Sequence, residues 1–272
     1  MIPNVLSIAG SDPSGGAGIQ ADLKAFSARG CYGMAALTAL TAQNTQGVTG
    51  VHPVPPEFVA AQIAAIFADI RVDAVKIGMI ASAGIALAVA DALRPHAGIP
   101  VVLDPVMVAK GGASLLADDA VAALRGALLP LATHVTPNLP EAAVLLDAAE
   151  AATREEMLAQ GRQLAALGPA CAIVKGGHLP GGESPDLMVA QDALCWFEAP
   201  RRDTKNTHGT GCTLSSAFAA ELAKGQPDAE AFAAAKSYVA AAIAASDALD
   251  VGHGHGPTHH FHALWRLPEE TA

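Results

Sequence analysis

Gly209-Thr210-Gly211-Cys212-Thr213 stands immediately before a helical pattern. Glycines let consecutive backbone N–H groups turn into one concavity, and a helix N-terminus adds partial positive charge. Together they make an anion hole suited to a phosphoryl group in flight. The same residues also suit an ordinary glycine-rich turn with Thr213 near a helix cap. Cys212 lies where a reacting hydroxyl would arrive. A thiol at a helix N-terminus can fall below its usual pKa of about 8.5, which suits a base. Neighbouring phosphates push the other way, and a free cysteine is most often a small core hydrophobe.

Other polar residues have equally double readings. Asn138-Leu139-Pro140-Glu141 has the spacing of a capping box, and its carboxylate could equally organise Mg²⁺ through water. Asp104 ends a buried strand, where a carboxylate needs a partner or a cation. Lys175 ends another, before two glycines, and could serve as a point charge on phosphates. For both, a salt bridge is the plainer alternative. Gln43 offers an acceptor and donors in one plane, a match for an aminopyrimidine edge or simply for backbone. Met79 could cover an aromatic ring or fill the core.

Two tempting motifs are weaker. Gly16-Ala17-Gly18-Ile19-Gln20-Ala21 fits the dinucleotide fingerprint, but the acidic residue expected about 20 positions on is missing, with Gln43 and Asn44 nearby instead. No Walker A is present, because Gly15 is followed by Gly16 rather than Lys. The tail histidines His253, His255, His259, His260 and His262 suggest a metal, yet their interleaved glycines suit a closing loop better.

These residues must be held by a scaffold, and the chain supplies one. Short apolar runs at Val5–Ala9, Met34–Ala42, Ala74–Gly78, Val101–Asp104, His134–Thr136 and Ala172–Lys175 read as strands. Helical patterns near 16–29, 57–69, 82–94, 118–129, 140–147 and 154–167 separate most of them. A hairpin follows at Leu187–Ala190 and Leu194–Glu198, and the last third is helical, about 211–224 and 228–248. Alternating β and α units predict an α/β fold with a mostly parallel sheet covered on both faces. No linker divides residues 1–272, so one domain is expected. Ligands of such sheets bind beyond the carboxyl ends of the strands, where Gly10, Gln43, Met79, Asp104, Asn138 and Lys175 all fall.

Of 272 residues, 51% are hydrophobic and 15% charged, which excludes intrinsic disorder. A net charge of −10 without basic runs argues against a nucleic-acid partner, so any anionic ligand must be attracted locally. Apolar stretches at Ala81–Leu93 and Ala229–Leu249 are interrupted by charges, and no membrane span is expected. The start of the chain lacks a basic secretory n-region. Cys31, Cys171, Cys195 and Cys212 are widely spaced, as in a reduced cytoplasmic protein.

Taken together, the chain resembles the hydroxymethylpyrimidine/phosphomethylpyrimidine kinases, the thiamine-pathway branch of the ribokinase-like superfamily. The resemblance runs nearly end to end. It is carried by Ala9 through Lys24, Thr41-Ala42-Gln43-Asn44-Thr45, Lys76-Ile77-Gly78-Met79, Asp104-Pro105-Val106-Met107, Thr136 through Ala142, Val174 through His178, Asn206 through Cys212, and the Gly254–His262 tail. Most ribokinase-like enzymes have Asp where this chain has Cys212; this branch typically has Cys.

The resemblance implies a three-layer α/β/α sandwich. It implies two ATP-dependent phosphorylations that convert 4-amino-5-hydroxymethyl-2-methylpyrimidine to its monophosphate and then its diphosphate. By carry-over, Gly209, Thr210, Gly211 and Cys212 are catalytic, with Cys212 the base. Gln43, Met79 and Val106 hold the pyrimidine, with Gly10, Ala17 and Asp22 as further contacts. Lys175, Thr207 and Asn138 serve ATP phosphates, and Asp104 and Glu141 organise Mg²⁺. Family habit and apolar helix faces suggest a homodimer. Three rivals remain: a pyridoxal kinase, a nicotinamide-dependent oxidoreductase resting on Gly16–Ala21, and a non-catalytic pyrimidine-binding module.

Overall fold

A computed structural model describes residues 1–107, 117–191 and 193–265. The strands are β1 Asn4–Ala9, β2 Tyr32–Leu37, β3 Ala39–Asn44, β4 Gly47–Pro53, β5 Ala74–Ile77, β6 Val101–Leu103, β7 His134–Val135, β8 Cys171–Lys175, β9 Asp186–Ala190 and β10 Ala193–Phe197. The α-helices are α1 Gly18–Ala28, α2 Pro56–Asp69, α3 Ala83–Leu93, α4 Asp118–Ala123, α5 Leu139–Leu146, α6 Arg154–Ala165, α7 Thr210–Ala223 and α8 Asp228–Ala244.

Eight strands form one sheet in the order β10-β9-β8-β7-β6-β5-β1-β2. Strands β2, β1, β5, β6, β7 and β8 run parallel, and β9 and β10 turn back as an antiparallel hairpin. The chain steps from β1 to β2 on one side and then crosses to β5 on the other. Strand order therefore reverses at β1, and a crevice opens beside its carboxyl end.

Alternation along each strand explains the layering. Leu6, Ile8, Ile77, Leu103, Val135 and Val174 share one core with Val59, Ile63, Val89 and Met157 from α2, α3 and α6. Val5, Ala74, Val102, Cys171 and Ile173 face the other, against Phe26, Phe218 and Phe232 from α1, α7 and α8. Both faces are thus covered, giving an α/β sandwich. Phe218 is fully buried and meets Phe232 edge-on, with ring centroids 5.5 Å apart. Truncation of such a ring costs about 3–5 kcal/mol. This contact fixes α7, the helix whose first turn carries Thr210, Gly211 and Cys212.

The expected strand Met34–Ala42 is two strands. Thr38 ends the first part: its N–H bonds Ala9 O and its hydroxyl bonds Met79 O. The chain then leaves the large sheet, and β3 pairs antiparallel with β4 in a separate two-stranded sheet, with a bulge between Ala42 and Gln43. Gln43 is therefore offered by this small sheet, not by a central strand. The expected helix over 118–129 keeps its α geometry only to Ala123, then widens over Leu124–Leu128 and tightens before Ala132. Pro130 cannot donate to a continuing helix.

Candidate active site

A cavity of about 1170 Å³ opens at the carboxyl ends of the parallel strands. Gly10, Ala17, Gln43, Met79, Val106, Asp104, Asn138, Glu141, Lys175, Thr207, Gly209, Thr210, Gly211 and Cys212 all line it. Their sequence positions span some 200 residues; the shared sheet edge brings them together.

The loop after β1 is organised by Asp12. Its Oδ1 accepts from the Ser14 N–H and hydroxyl at 2.9 and 2.6 Å, and its Oδ2 from Ala17 N–H at 2.8 Å and Gly16 N–H at 3.2 Å. His208 Nε2 lies 2.8 Å from the same Oδ2, and Gln43 Nε2 lies 3.4 Å from that histidine nitrogen. Burial works against the Asp12 charge, but His208 and these donors offset it and hold the carboxyl below its usual range. Asp12 and His208 thus tie the first glycine loop to the second. The second loop depends on Gly209, at φ +74°, where a Cβ would stand 1.8 Å from Gly16 O. Only glycine lets the two backbones approach so closely.

The charged side of the cavity is built on three strand ends. Lys175 Nζ donates to Asp104 Oδ1 at 2.8 Å and lies 3.9 Å from Glu141 Oε2. Ser215 on α7 donates to Asp104 Oδ2 at 3.1 Å. Burial opposes ionisation of Asp104, yet Lys175 and Lys76 more than compensate and keep it low. Glu141 is left in the opposite state. Burial and the neighbouring Asp104 push it up to about 7, against the pull of Lys175. The capping box forms: Asn138 N–H donates to Glu141 Oε2, and Glu141 N–H to Asn138 Oδ1, each at 2.8 Å. Capping leaves the carboxylate on the cavity wall, so the two readings of this motif are compatible.

Cys212 is half-buried and lines the cavity. Burial pushes its thiol up to about 11, and Lys76 and the Gly18 N–H pull it back only partly. The helix N-terminus alone had suggested a shift downward.

Asp22 does not line the cavity. It is fully buried beneath it, where Lys76 Nζ donates to its two oxygens at 2.9 and 3.0 Å and Ser7 and Ser216 donate at 2.6 and 2.7 Å. Three donor groups from β1, β5 and α7 make four hydrogen bonds to the carboxylate, so the expected substrate contact is corrected to an internal counter-ion. Lys76 itself lines the cavity. Sequence reasoning missed it, although a lysine inside the apolar strand Ala74–Ile77 signals a buried partner. Asp12, His208 and Lys236 were missed as well. Lys236 lines the cavity from α8 and pairs with Asp186 at 2.7 Å. The tail histidines form no metal cluster among the described residues. Instead His255 N–H bonds Thr45 O and His208 N–H bonds Gly256 O, so the tail closes over the small sheet. No described helix is long and apolar enough to cross a membrane.

Comparison with known proteins agrees with this architecture. A hydroxymethylpyrimidine/phosphomethylpyrimidine kinase of Escherichia coli (strain K12) is 55% identical over 262 residues, covering 96% of this chain and 98% of that protein. The solved phosphomethylpyrimidine kinase from Clostridium difficile 630 superposes with a TM-score of 0.80 at 42% identity, over 89% of this chain and 99% of the other. The Bacillus subtilis pyridoxal kinase, solved as an ADP complex, superposes with a TM-score of 0.88 at 38% identity, over 97% and 99% of the two chains. The fold is accordingly ribokinase-like. The phosphomethylpyrimidine kinase family model matches residues 12–259, and the chain belongs to that family.

Proposed function

We propose that this protein transfers the γ-phosphoryl group of ATP to the hydroxymethyl oxygen of 4-amino-5-hydroxymethyl-2-methylpyrimidine. A second ATP then extends the monophosphate to the diphosphate used in thiamine assembly. The observation that carries the reading is one cavity joining a planar amide at Gln43 to a glycine-lined helix N-terminus and the Lys175 ammonium. Phosphoryl transfer asks the protein mainly for positioning and charge neutralisation, and these groups supply both.

In this reading Gln43 pairs with the aminopyrimidine edge, while Met79, Val106, Gly10 and Ala17 shape its pocket. The Gly209-Thr210-Gly211 amides receive the moving phosphoryl group. Cys212 takes the proton released as the substrate O–H bond gives way to O–P. Lys175, Thr207 and Asn138 steady the phosphates. Lys76 and Lys175 remain charged throughout, since Asp22 and Asp104 hold their ammonium groups above the usual range against the effect of burial.

The residues present also fit Mg²⁺. Asp104 and Glu141 are two buried carboxylates beside the Lys175 ammonium, and burial together with the neighbouring Asp104 charge raises Glu141. A hard cation held through water would restore the balance. When bound, it neutralises phosphate oxygens. Cytoplasmic location and homodimeric assembly belong to the same reading, and sedimentation checks the second.

The likeness to a pyridoxal kinase favours pyridoxal as a slower second substrate. The test is phosphate transfer from Mg·ATP to each alcohol, with products separated by charge. Pyrimidine monophosphate followed by diphosphate, with pyridoxal slow, is expected. Pyridoxal phosphate as the main product, without pyrimidine diphosphate, would overturn the substrate assignment.

A further inference from the structure

At the opposite edge of the sheet from the cavity, three different ligand types meet. His134 opens β7, Cys171 opens β8, and the two are register partners on adjacent strands. Asp228 opens α8. Neighbouring positions in register point to the same face, here the layer of α7 and α8, where His134 meets Phe218 edge-on at 5.0 Å. His134 Nε2, Cys171 Sγ and an Asp228 carboxylate oxygen all lie within 4.8 Å of one another. Cys171 and Lys175 bound the same strand, so the cluster sits about 13 Å from the charged side of the cavity, at ~3.3 Å per residue.

The contacts around His134 show which nitrogen faces the cluster. Thr133 Oγ1 donates to Val101 O at 3.0 Å and accepts the Val101 N–H at 2.8 Å. Its oxygen also lies 2.8 Å from His134 Nδ1. With the ring proton on Nδ1, Nε2 presents its lone pair to Asp228 and Cys171. That nitrogen is buried and lies 3.1 Å from Asp228 Oδ1, a contact that holds the Asp228 carboxyl below its usual range. The Cys171 thiol stands beside this pair. A backbone-anchored hydroxyl holding Nδ1 while Nε2 points at a carboxylate and a sulfur is the arrangement around a metal-ligating histidine.

We propose that His134, Cys171 and Asp228 form a binding site for a borderline divalent transition cation, zinc by chemical preference, with solvent completing the coordination. Imidazole and thiolate select such an ion over Mg²⁺. Charge supports the assignment: one thiolate and one carboxylate neutralise a 2+ ion with a neutral imidazole. The Cys171 proton leaves to solvent on binding. Without a cation, burial holds that thiol up at about 12, so metal and proton compete for the sulfur. The Asp228 side chain is 46% exposed, which leaves it free to rotate onto the ion and gives the ion an entry path. A bound cation would clamp the start of α8 to the sheet. That helix carries Lys236, Val239 and Ile243 on the cavity wall.

The test uses the full chain, stripped with a chelator and titrated with Co²⁺ as the spectroscopic probe. One equivalent should bind with a thiolate-to-cobalt charge-transfer band and the visible bands of a four-coordinate ion. Zn²⁺ should displace it and raise the melting temperature. Asp228→Asn, at an exposed helix start, and Cys171→Ala, a small change in the core, should each weaken binding more than about 100-fold, beyond the ~10–100-fold typical of an outer-shell loss. Cys171→Ala should also abolish the charge-transfer band. A variant with His253→Ala and His255→Ala should bind as the parent does. Absence of the band in the folded parent would mean a plain His134–Asp228 ion pair and would overturn the proposal. Equal binding by Asp228→Asn and Cys171→Ala, or loss in the tail variant, would overturn it too.

Discussion

Cys212 offers the sharpest check on the proposed chemistry. Its thiol stands at about 11 because the cavity floor withholds water, with Lys76 only partly offsetting that cost. At pH 7 such a group is ionised in roughly one molecule in 10⁴, and the fraction grows tenfold per pH unit. If the thiolate removes the substrate proton, log kcat under saturating Mg·ATP and pyrimidine should climb with unit slope. Glu141, at about 7, completes its own titration lower down. Lys76 and Lys175, raised by their carboxylate partners, stay charged. The range from about pH 8 to 10 therefore isolates the thiol. Cys212→Ala should lose about 10²–10⁴ in kcat, show no slope there, and still bind the pyrimidine by calorimetry. Cys212→Asp, the residue most ribokinase-like relatives carry, places a group of lower pKa at the same point and should flatten the profile. A parent enzyme already at plateau by pH 8, or near-normal turnover in Cys212→Ala, would remove Cys212 from the proton transfer.

Three further outcomes are expected. Glu141 shifts from 4.5 unfolded to about 7 folded, so the native state holds the extra proton and stability declines as pH rises through that window. In metal-free protein, Glu141→Gln should therefore gain up to about 3 kcal/mol relative to parent above pH 7 and little below 4.5, by urea melts, while weakening Mg·nucleotide binding. Gly209→Ala should stay folded but lose at least ~10²-fold in kcat, the usual toll of a disturbed anion hole, because its Cβ would meet Gly16 O at 1.8 Å and force the two loops apart; unchanged kcat would refute that geometry. Lys76→Met should destabilise by about 3–5 kcal/mol by leaving Asp22 charged and unpaired. Adding Asp22→Asn should restore most of that stability without restoring activity, and equal melts for single and double variants would contradict the pairing.

The sheet edge was legible in the sequence because one rule, ligands beyond the carboxyl ends of parallel strands, acts on residues that each close an apolar run. Gly10, Met79, Asp104, Asn138 and Lys175 all satisfy it. What lay beneath the edge was not legible. Asp22 follows the first glycine loop by one helical turn, and nothing local says whether it faces the cavity or the sheet. Ser7, Lys76 and Ser216, from three other elements, decide that it faces inward. The small sheet escaped notice because Gly47 and Gly50 interrupt the β-branched pattern of β4. Cys212 is the instructive case, since chain position left its charge state open. A helix N-terminus stabilises an anion by roughly 0.3–1 kcal/mol, less than one pH unit. Full burial costs up to about 3–5 units. Chain position reveals the smaller effect and conceals the larger, so the charge state of a group read as catalytic follows from its depth. The same reasoning makes the steep pH profile, rather than the loss of activity on mutation, the measurement that separates a buried base from a cysteine that merely packs.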